Sequence, residues 1–150
     1  MAQSDFKKFE RYFSRFPDTK AEGRNFFAQI LDSSTYYYCF PPPSLIHSTI
    51  LHFLKYQARG LLLVPVWLGS SFWTLITPDG VHLACWCASF LKFRPSGFEV
   101  GPAVLSVTFR EGRFDMLGLE FDFLGVEDKH MGVARRSWRT CLSGGCNVCR

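Results

Sequence analysis

Three cysteines near the end of the chain have a spacing that suits a metal site. Four residues separate Cys141 from Cys146, and two more separate Cys146 from Cys149. Thiolates at such spacing are ligands for Zn²⁺, and His130 is the candidate for a fourth ligand. The set completes no standard four-ligand zinc pattern, so the alternative is that these thiols bind no metal. If zinc binds, the basic residues nearby favour a nucleic-acid-binding knuckle.

Aromatic and proline residues form a second candidate site. Phe40, Pro41 and Pro42 end one apolar segment, and Trp67 and Trp73 lie at the end of the next. Aromatic rings grouped at strand ends can stack on a base or nucleotide. The alternative is that the two tryptophans pack as a lid over the edge of the core.

Basic residues are concentrated towards the end of the chain, which carries a formal net charge of +4. Arg135, Arg136 and Arg139 are the candidates for contact with phosphate groups. The alternative is an ordinary solvated terminus without a nucleic-acid partner.

The other titratable residues are predicted to have structural roles. Asp79 and His82 lie beside a Pro-Asp-Gly turn without a nucleophile near them, so a turn-forming aspartate is favoured over acid–base chemistry. His47 and His52 are five positions apart on a predicted helix, which is poor spacing for joint metal ligation, and we expect both at the surface.

The elements that position these residues centre on Tyr36 to Trp67. A strand from Tyr36 to Phe40 must end at the three prolines, which cannot donate ladder hydrogen bonds. Ser44 is the predicted N-cap of a helix and Gly60 its C-cap. The continuous apolar run 61–67 predicts a strand covered on both faces, so the whole segment is a βαβ unit. Apolar residues recur at helical spacing at Leu45, Ile46, Ile50, Leu51, Leu54 and Ala58.

Shorter elements are predicted on both sides of this unit. We expect a short helix from Phe72 to Ile76 with Ser70 or Ser71 as its cap, and a strand from His82 to Phe90. Within that strand Cys85 and Cys87 would lie on one face as small hydrophobic residues.

A β-hairpin is predicted next, with strands 104–109 and 114–123 joined at a Glu-Gly turn. Residues 1–125 are expected to form the folded domain, and residues 126–150 a basic, cysteine-containing flexible tail.

These elements predict an α/β fold: a three-layer, partial Rossmann-like sheet of the methyltransferase type, ending in a β-hairpin. The chain has 150 residues with 47% hydrophobic and 20% charged residues, which predicts that the middle of the chain is globular and not disordered. No signal peptide and no apolar run long enough to cross a bilayer is present. We therefore expect an intracellular protein, cytoplasmic or nuclear, with reduced cysteines.

Several phrases of the sequence resemble the region downstream of RNase H in DIRS-type, tyrosine-recombinase retrotransposon polyproteins. They are FSRFPDTKAEGRNFFAQ, YYYCFPPPSLIHSTILHF, GLLLVPVWLGSSFWTLITPDG and FDMLGLEFDF, and the resemblance runs from about Ala2 to Phe123. That region is similar to phage-type DNA N6-adenine methyltransferases. In those enzymes an Asn-Pro-Pro-aromatic loop ends a strand, accepts hydrogen bonds from the adenine amine and stacks on the flipped base.

The chain departs from that family in the residues that carry the chemistry. Phe40 stands where the polar acceptor belongs, and Pro43 stands where the aromatic residue belongs. The resemblance places a cofactor-binding strand just upstream of Ala2, and the chain shows no Gly-rich cofactor loop. The resemblance therefore implies a degenerate active site.

Three hypotheses on function remain. The first is a non-catalytic, retrotransposon-derived domain that binds DNA, RNA or other segments of a retroelement polyprotein, with no cofactor. The second is a divergent DNA N6-adenine methyltransferase that uses S-adenosylmethionine. The third is an interaction protein with a zinc-binding tail.

Overall fold

A computed structural model describes residues 11, 13–14, 19–94, 114–131 and 134–137, with the backbone alone for residues 14 and 134–137. Its strands, in chain order, are β1 (Phe13–Ser14), β2 (Gly23–Arg24), β3 (Tyr36–Cys39), β4 (Arg59–Pro65), β5 (His82–Ala84), β6 (Cys87–Phe93), β7 (Met116–Asp122) and β8 (Ala134–Ser137). The helices are α1 (Ile46–Lys55) and the short α2 (Trp73–Ile76).

The predicted βαβ unit is confirmed. Strands β3 and β4 are parallel neighbours, with Tyr36 opposite Arg59 and Cys39 opposite Leu62, and α1 connects them. The helix forms because its apolar residues recur at helical spacing on the side that faces the sheet. Ile46, Ile50 and Phe53 on that side are fully buried.

The predicted ends of this helix are wrong. Ser44 lies inside a single 3-10 turn, Pro43–Leu45, and α1 starts at Ile46 without a side-chain cap. At the other end Gln57, not Gly60, takes the left-handed conformation, with φ 53°. Gly60 is already in β4, opposite Tyr37. A glycine is needed at this position because the two backbones approach too closely for a side chain.

A four-stranded sheet in the order β3-β4-β7-β6 forms the centre of the fold. Strand β7 is antiparallel to both of its neighbours, so it lies between two strands that precede it in the sequence. The returning strand of the predicted hairpin is therefore present as β7, paired with β4 and β6. Its predicted partner, 104–109, lies outside the described residues.

The core lies on one face of this sheet, which we call the first face. Side chains alternate along β7, so that Leu117, Leu119 and Phe121 face α1 and belong to the same buried cluster as Phe53. Both helices of the described ranges belong to this cluster. The described part of the chain therefore has two layers, the helix α1 and the mixed sheet on which it packs. The predicted three-layer arrangement is not seen in these residues.

The predicted strand His82–Phe90 is divided into β5 and β6 by a turn at Cys85 and Trp86. The two cysteines therefore do not share one strand face: Cys87 is buried in the core and Cys85 is half-buried. Trp86 is buried and stacks on Phe123, with 4.9 Å between ring centroids. Packing of this indole accounts for the break in the strand.

The predicted domain boundary at residue 125 falls inside the folded unit. Val126 packs against the core, and its carbonyl oxygen accepts a hydrogen bond of 2.8 Å from the Gln57 amide. Further on, β8 pairs antiparallel with β5. Residues 126–131 and strand β8 thus have defined structure where a flexible tail was expected, and residues 132–133 and 138–150 lie outside the described part.

Candidate functional site

The structure brings the two predicted strand ends to the same edge of the sheet. Because β3 and β4 are parallel, the segment Phe40–Pro42 and the segment beginning at Val66 leave the sheet on the same side. Pro41 is buried, Pro42 is exposed, and Phe40 is 37% exposed. The two loops are therefore neighbours at this edge of the sheet.

The two tryptophans of this edge differ in their accessibility. Trp67 is half-buried and its ring meets Phe114 edge-on, with 5.4 Å between the centroids. Trp73 is 4% exposed and lies in the core cluster at the start of α2. Its ring faces are therefore inside the protein, and the lid-packing alternative describes Trp73 better than base stacking. The predicted caps are absent too: the Ser70 hydroxyl bonds back to the carbonyl oxygen of Trp67.

The proline loop offers little polar chemistry. From Phe40 to Pro43 no side chain carries an oxygen or nitrogen, and Ser44 is the first hydroxyl. The local backbone is fixed by a hydrogen bond of 2.9 Å from the Leu45 amide to the Pro42 carbonyl. The side chains from Phe40 to Pro43 can provide apolar contact, but none of them can accept a hydrogen bond from an adenine amine.

The prediction that His52 lies at the surface is wrong. Its side chain is buried among Phe26, Phe27 and Tyr56, and its Nε2 lies 3.1 Å from the carbonyl oxygen of Gln29. Burial among these rings lowers the pKa of His52, although the hydrogen bond to Gln29 opposes that effect. The imidazole therefore joins α1 to the segment before β3 in its neutral form.

The Asp79–His82 pair stabilises a turn. One carboxylate oxygen of Asp79 accepts hydrogen bonds from the backbone amides of Val81 and His82, and the other lies 2.6 Å from the imidazole Nδ1 of His82. These hydrogen bonds, led by the backbone amide of His82, lower the pKa of Asp79 far below its usual value. The turn-forming aspartate that the sequence favoured accounts for all of these contacts.

Two of the described thiols are inert by burial. Desolvation raises the pKa of Cys39 to about 11, and desolvation raises the pKa of Cys87 as well. A thiol that stays protonated is neither a nucleophile nor a metal ligand at neutral pH.

The predicted metal site falls mostly outside the described part, which excludes Cys141, Cys146 and Cys149. Its fourth candidate, His130, accepts a 3.5 Å hydrogen bond at Nδ1 from the Glu127 amide, within a capping box. Across the described ranges no group of three or more potential ligands is close enough to hold a metal ion.

The candidate phosphate contacts can be located only in part. Arg135 and Arg136 lie in β8, where the backbone alone is described, and Arg139 is outside the described residues. Arg136 is opposite Leu83 of β5.

A groove that the sequence did not predict lies on the second face of the sheet, opposite α1. Alternation along the strands sends Tyr36 and Tyr38 of β3, Leu61 of β4 and Leu91 of β6 to this face. The groove has a volume of about 680 Å³. We call it the second-face groove; its lining is Tyr36, Tyr38, Leu61, Leu63, Ser89, Phe90, Leu91, Phe93, Arg94, Gly118 and Glu120.

Several apolar side chains of the second-face groove are solvent-accessible. Leu91 is 68% exposed, Tyr36 is 55% exposed and Tyr38 is 44% exposed. Gly118 adds no side chain to the floor, and Leu63 lies 3.4 Å from where its Cβ would be. Exposed apolar groups next to one another are typical of surfaces that contact a partner.

Charged side chains line part of the groove. In β7, the Glu120 carboxylate accepts a hydrogen bond of 2.6 Å from the hydroxyl of Ser89 in β6. The Arg94 guanidinium lies 3.5 Å from Asp115, which also binds the Lys92 ammonium at 2.8 Å. Of these charged groups, Glu120 and Arg94 line the groove, whereas Lys92 is opposite Leu117 and lies on the side of α1.

No helix in the described ranges is both long enough and apolar enough to span a bilayer. Comparisons of the chain with protein-family models, with curated proteins and with solved structures found no match.

Proposed function

We propose that this chain is a non-catalytic binding module of retrotransposon origin, and that it binds a protein segment in the second-face groove. The observation that carries the proposal is the exposed apolar surface formed by Tyr36, Tyr38 and Leu91 on one sheet face. Interfaces use aromatic and aliphatic anchors of this kind, surrounded by a few polar groups. Other segments of a retroelement polyprotein are the proposed partners.

A protein segment fits this groove better than a nucleic acid does. Tyr36 could stack on a base, and Arg59 opposite it could neutralise a phosphate. The carboxylate of Glu120, however, lies among the same side chains and would repel a polyanion. Leu61 and Leu91 provide aliphatic contact, which suits apolar side chains of a protein.

The second candidate is a divergent DNA N6-adenine methyltransferase that uses S-adenosylmethionine. Its support is the arrangement of the sheet, in which antiparallel β6 and β7 close one edge beside a parallel βαβ unit. A closing antiparallel pair at that position is expected of the second half of such a domain. The side chains of Phe40, Pro41 and Pro42 weigh against catalysis, because none of them can accept the hydrogen bond that an adenine amine donates.

The binding proposal is tested by selecting ligands from a phage library of random dodecapeptides on the immobilised chain. Peptides enriched on the wild-type protein should bind the Leu91→Asp variant at least about tenfold more weakly, since the substitution places a charge on the apolar surface. Leu124→Asp is the matched control, because Leu124 is 72% exposed and does not line the groove.

Two results would contradict the proposal. One is the absence of any enriched peptide, or peptides that bind both variants equally well. The other is saturable binding of S-adenosylmethionine in a calorimetric titration of the folded chain, which would favour the methyltransferase. A titration with oligothymidylate, followed with the same two variants, separates nucleic-acid binding from peptide binding.

A further inference from the structure

The segment 23–31, which we call the strap, is attached to α1 mainly by side chains. It contains β2, which pairs with the preceding β1, and the 3-10 turn Phe26–Ala28. The backbone amides of Ala28 and Gln29 donate to carbonyl oxygens within the strap itself. Across the described ranges, the one hydrogen bond from the strap to the elements that follow it joins Gln29 to His52 of α1. A segment attached in this way can open without unfolding the whole domain.

Apolar contact between the strap and the core is made by Phe26 and Leu31, which both belong to the buried cluster. Between ring centroids, Phe26 lies 5.4 Å from Phe53 and 4.9 Å from the imidazole of His52. The strap places a second ring beside the imidazole, since the centroid of Phe27 lies 5.7 Å from that of His52. The imidazole is therefore at the centre of the contact between the strap and α1.

This imidazole is held in its neutral form. Its Nε2 carries a hydrogen, because the carbonyl oxygen of Gln29 can only accept a hydrogen bond. Burial among aromatic rings lowers the pKa of His52, although the hydrogen bonds to the carbonyl oxygens of Gln29 and Phe26 oppose this effect. The positive charge of Lys55, almost one turn further along α1, lowers the pKa of His52 as well.

Neither α1 nor the strap offers a carboxylate to a protonated His52. Their sequences contain no aspartate or glutamate, and the charged residue of the strap is the basic Arg24. The acidic residues that flank the strap are bound elsewhere, since Glu22 forms an ion pair of 2.5 Å with Arg11 and Asp32 accepts hydrogen bonds within its own turn. Protonation of the imidazole therefore adds a positive charge without a counter-ion in the two elements that meet there.

We propose that the strap is a pH-sensitive cover of α1, which is closed while His52 is neutral and detaches from the folded domain when His52 is protonated. The inference concerns the first face of the sheet and does not depend on the second-face groove. Because closure lowers the pKa of His52, the closed form is most stable above about pH 6.5 and becomes less stable as the pH falls below that value. Detachment exposes the side of the Phe53 ring that Phe26 contacts.

The test is hydrogen–deuterium exchange of the native chain at about pH 7.5 and about pH 5.5, followed by mass spectrometry of peptic fragments. Each rate is divided by that of the urea-unfolded chain at the same pH, which removes the intrinsic effect of pH on exchange. Between these two pH values the normalised rate of the strap should rise by as much as about tenfold, the limit for a histidine that takes up its proton only in the open form.

Urea at low concentration distinguishes detachment from unfolding of the domain. It should accelerate exchange in β7, which is in the centre of the sheet and is protected until the domain unfolds. Exchange in the strap should change little with urea, because detachment exposes much less surface than unfolding does.

Two histidine substitutions in α1 supply the controls. His52→Gln keeps a side-chain N–H donor for the Gln29 carbonyl but cannot be protonated, so exchange in the strap should no longer respond to pH. His47→Gln removes the other histidine of the helix, five positions earlier, and should keep the wild-type response. Circular dichroism spectra of both variants establish that they are folded.

Equal normalised exchange of the strap at the two pH values overturns the inference, and so does a pH response that persists in His52→Gln. A strap with the same urea dependence as β7 overturns it too, because the strap would then open only with the whole domain. A local pH response that is present in the wild type and in His47→Gln, and absent from His52→Gln, supports it. If His52→Gln does not fold, the comparison of the strap with β7 in the wild-type chain still decides.

Discussion

Two glycines of adjacent strands should respond very differently to the same substitution. A Cβ atom added to Gly60 of β4 would lie 2.7 Å from the carbonyl carbon and 2.8 Å from the nitrogen of Tyr37, and closer still to its oxygen. These are backbone atoms of the neighbouring strand, so rotation of a side chain cannot relieve the overlap. In Gly118 of β7, the nearest atom would be a Leu63 methyl group at 3.4 Å, which can move.

The cost of Gly60→Ala follows from what must move. The two strands have to separate locally, which adds the strain of overpacking, about 1–3 kcal/mol, to the loss of one or two ladder hydrogen bonds at about 1 kcal/mol each. We expect the free energy of unfolding to fall by about 3–4 kcal/mol. For a chain of this length the melting temperature should then fall by about 10 °C. Gly118→Ala should change the free energy of unfolding by less than about 1 kcal/mol.

The assay is urea unfolding followed by tryptophan fluorescence, with thermal melts followed by circular dichroism. Gly118→Ala is the matched control, because it is the same substitution in a strand of the same sheet. Equal destabilisation by the two substitutions would refute the close parallel pairing of β3 and β4. It would also remove the reason why the proline loop and Trp67 lie at one edge.

Three further outcomes are expected. Because burial lowers the pKa of His52, the unfolded chain takes up a proton before the folded chain does as the pH falls below about 6.5. The urea concentration at the midpoint of unfolding should therefore decrease between pH 7.5 and pH 5.5. The His52→Phe variant should show a smaller decrease over the same pH range. Phe53→Ala should cost about 3–5 kcal/mol of unfolding free energy in urea, whereas Leu51→Ala on the exposed side of the same helix should cost less than about 1 kcal/mol. Iodoacetamide, followed by mass spectrometry, should label half-buried Cys85 in the native protein well before Cys39, whose pKa is raised to about 11; equal labelling rates would contradict the burial of Cys39.

The central βαβ unit could be predicted because its signals are local. A strand ended by three prolines, a helix with one apolar side and a continuous apolar strand each follow from neighbouring residues. The ends of the helix could not be predicted in the same way. Gly60 resembled a C-cap, but it is a glycine because β3 passes close to it, and that contact joins residues 23 positions apart.

The order of the strands depends on contacts that no local pattern contains. The alternation from Leu117 to Phe121 correctly predicts a strand, but it does not show that the strand lies between β4 and β6. The break between β5 and β6 likewise depends on Trp86, which leaves the strand direction to fill a space beside Phe123. Tertiary packing overrides local preference at such positions.

The candidate site was predicted at one edge and missed on the sheet face. Consecutive aromatic residues from Tyr36 to Tyr38 obscured the period of two, because both faces of β3 carry rings. Glu120 was the signal in the sequence that could have revealed this face. It is a charged residue within the apolar strand β7, at a position that alternation assigns to the face opposite the core. A carboxylate at that position indicates a face that contacts water or a partner.

The position of β7 has a consequence for synthesis of the chain on the ribosome. Translation produces β3, β4 and β6 before β7. In the folded sheet β4 and β6 are not hydrogen-bonded to each other, because β7 lies between them and pairs with both. Until Met116–Asp122 has left the exit tunnel, the apolar strand β4 has an unpaired edge, which nascent chains on the same messenger could join. A stop codon anywhere before residue 116 would make that exposure permanent, so shortened products should be cleared by proteases rather than accumulate as a smaller domain.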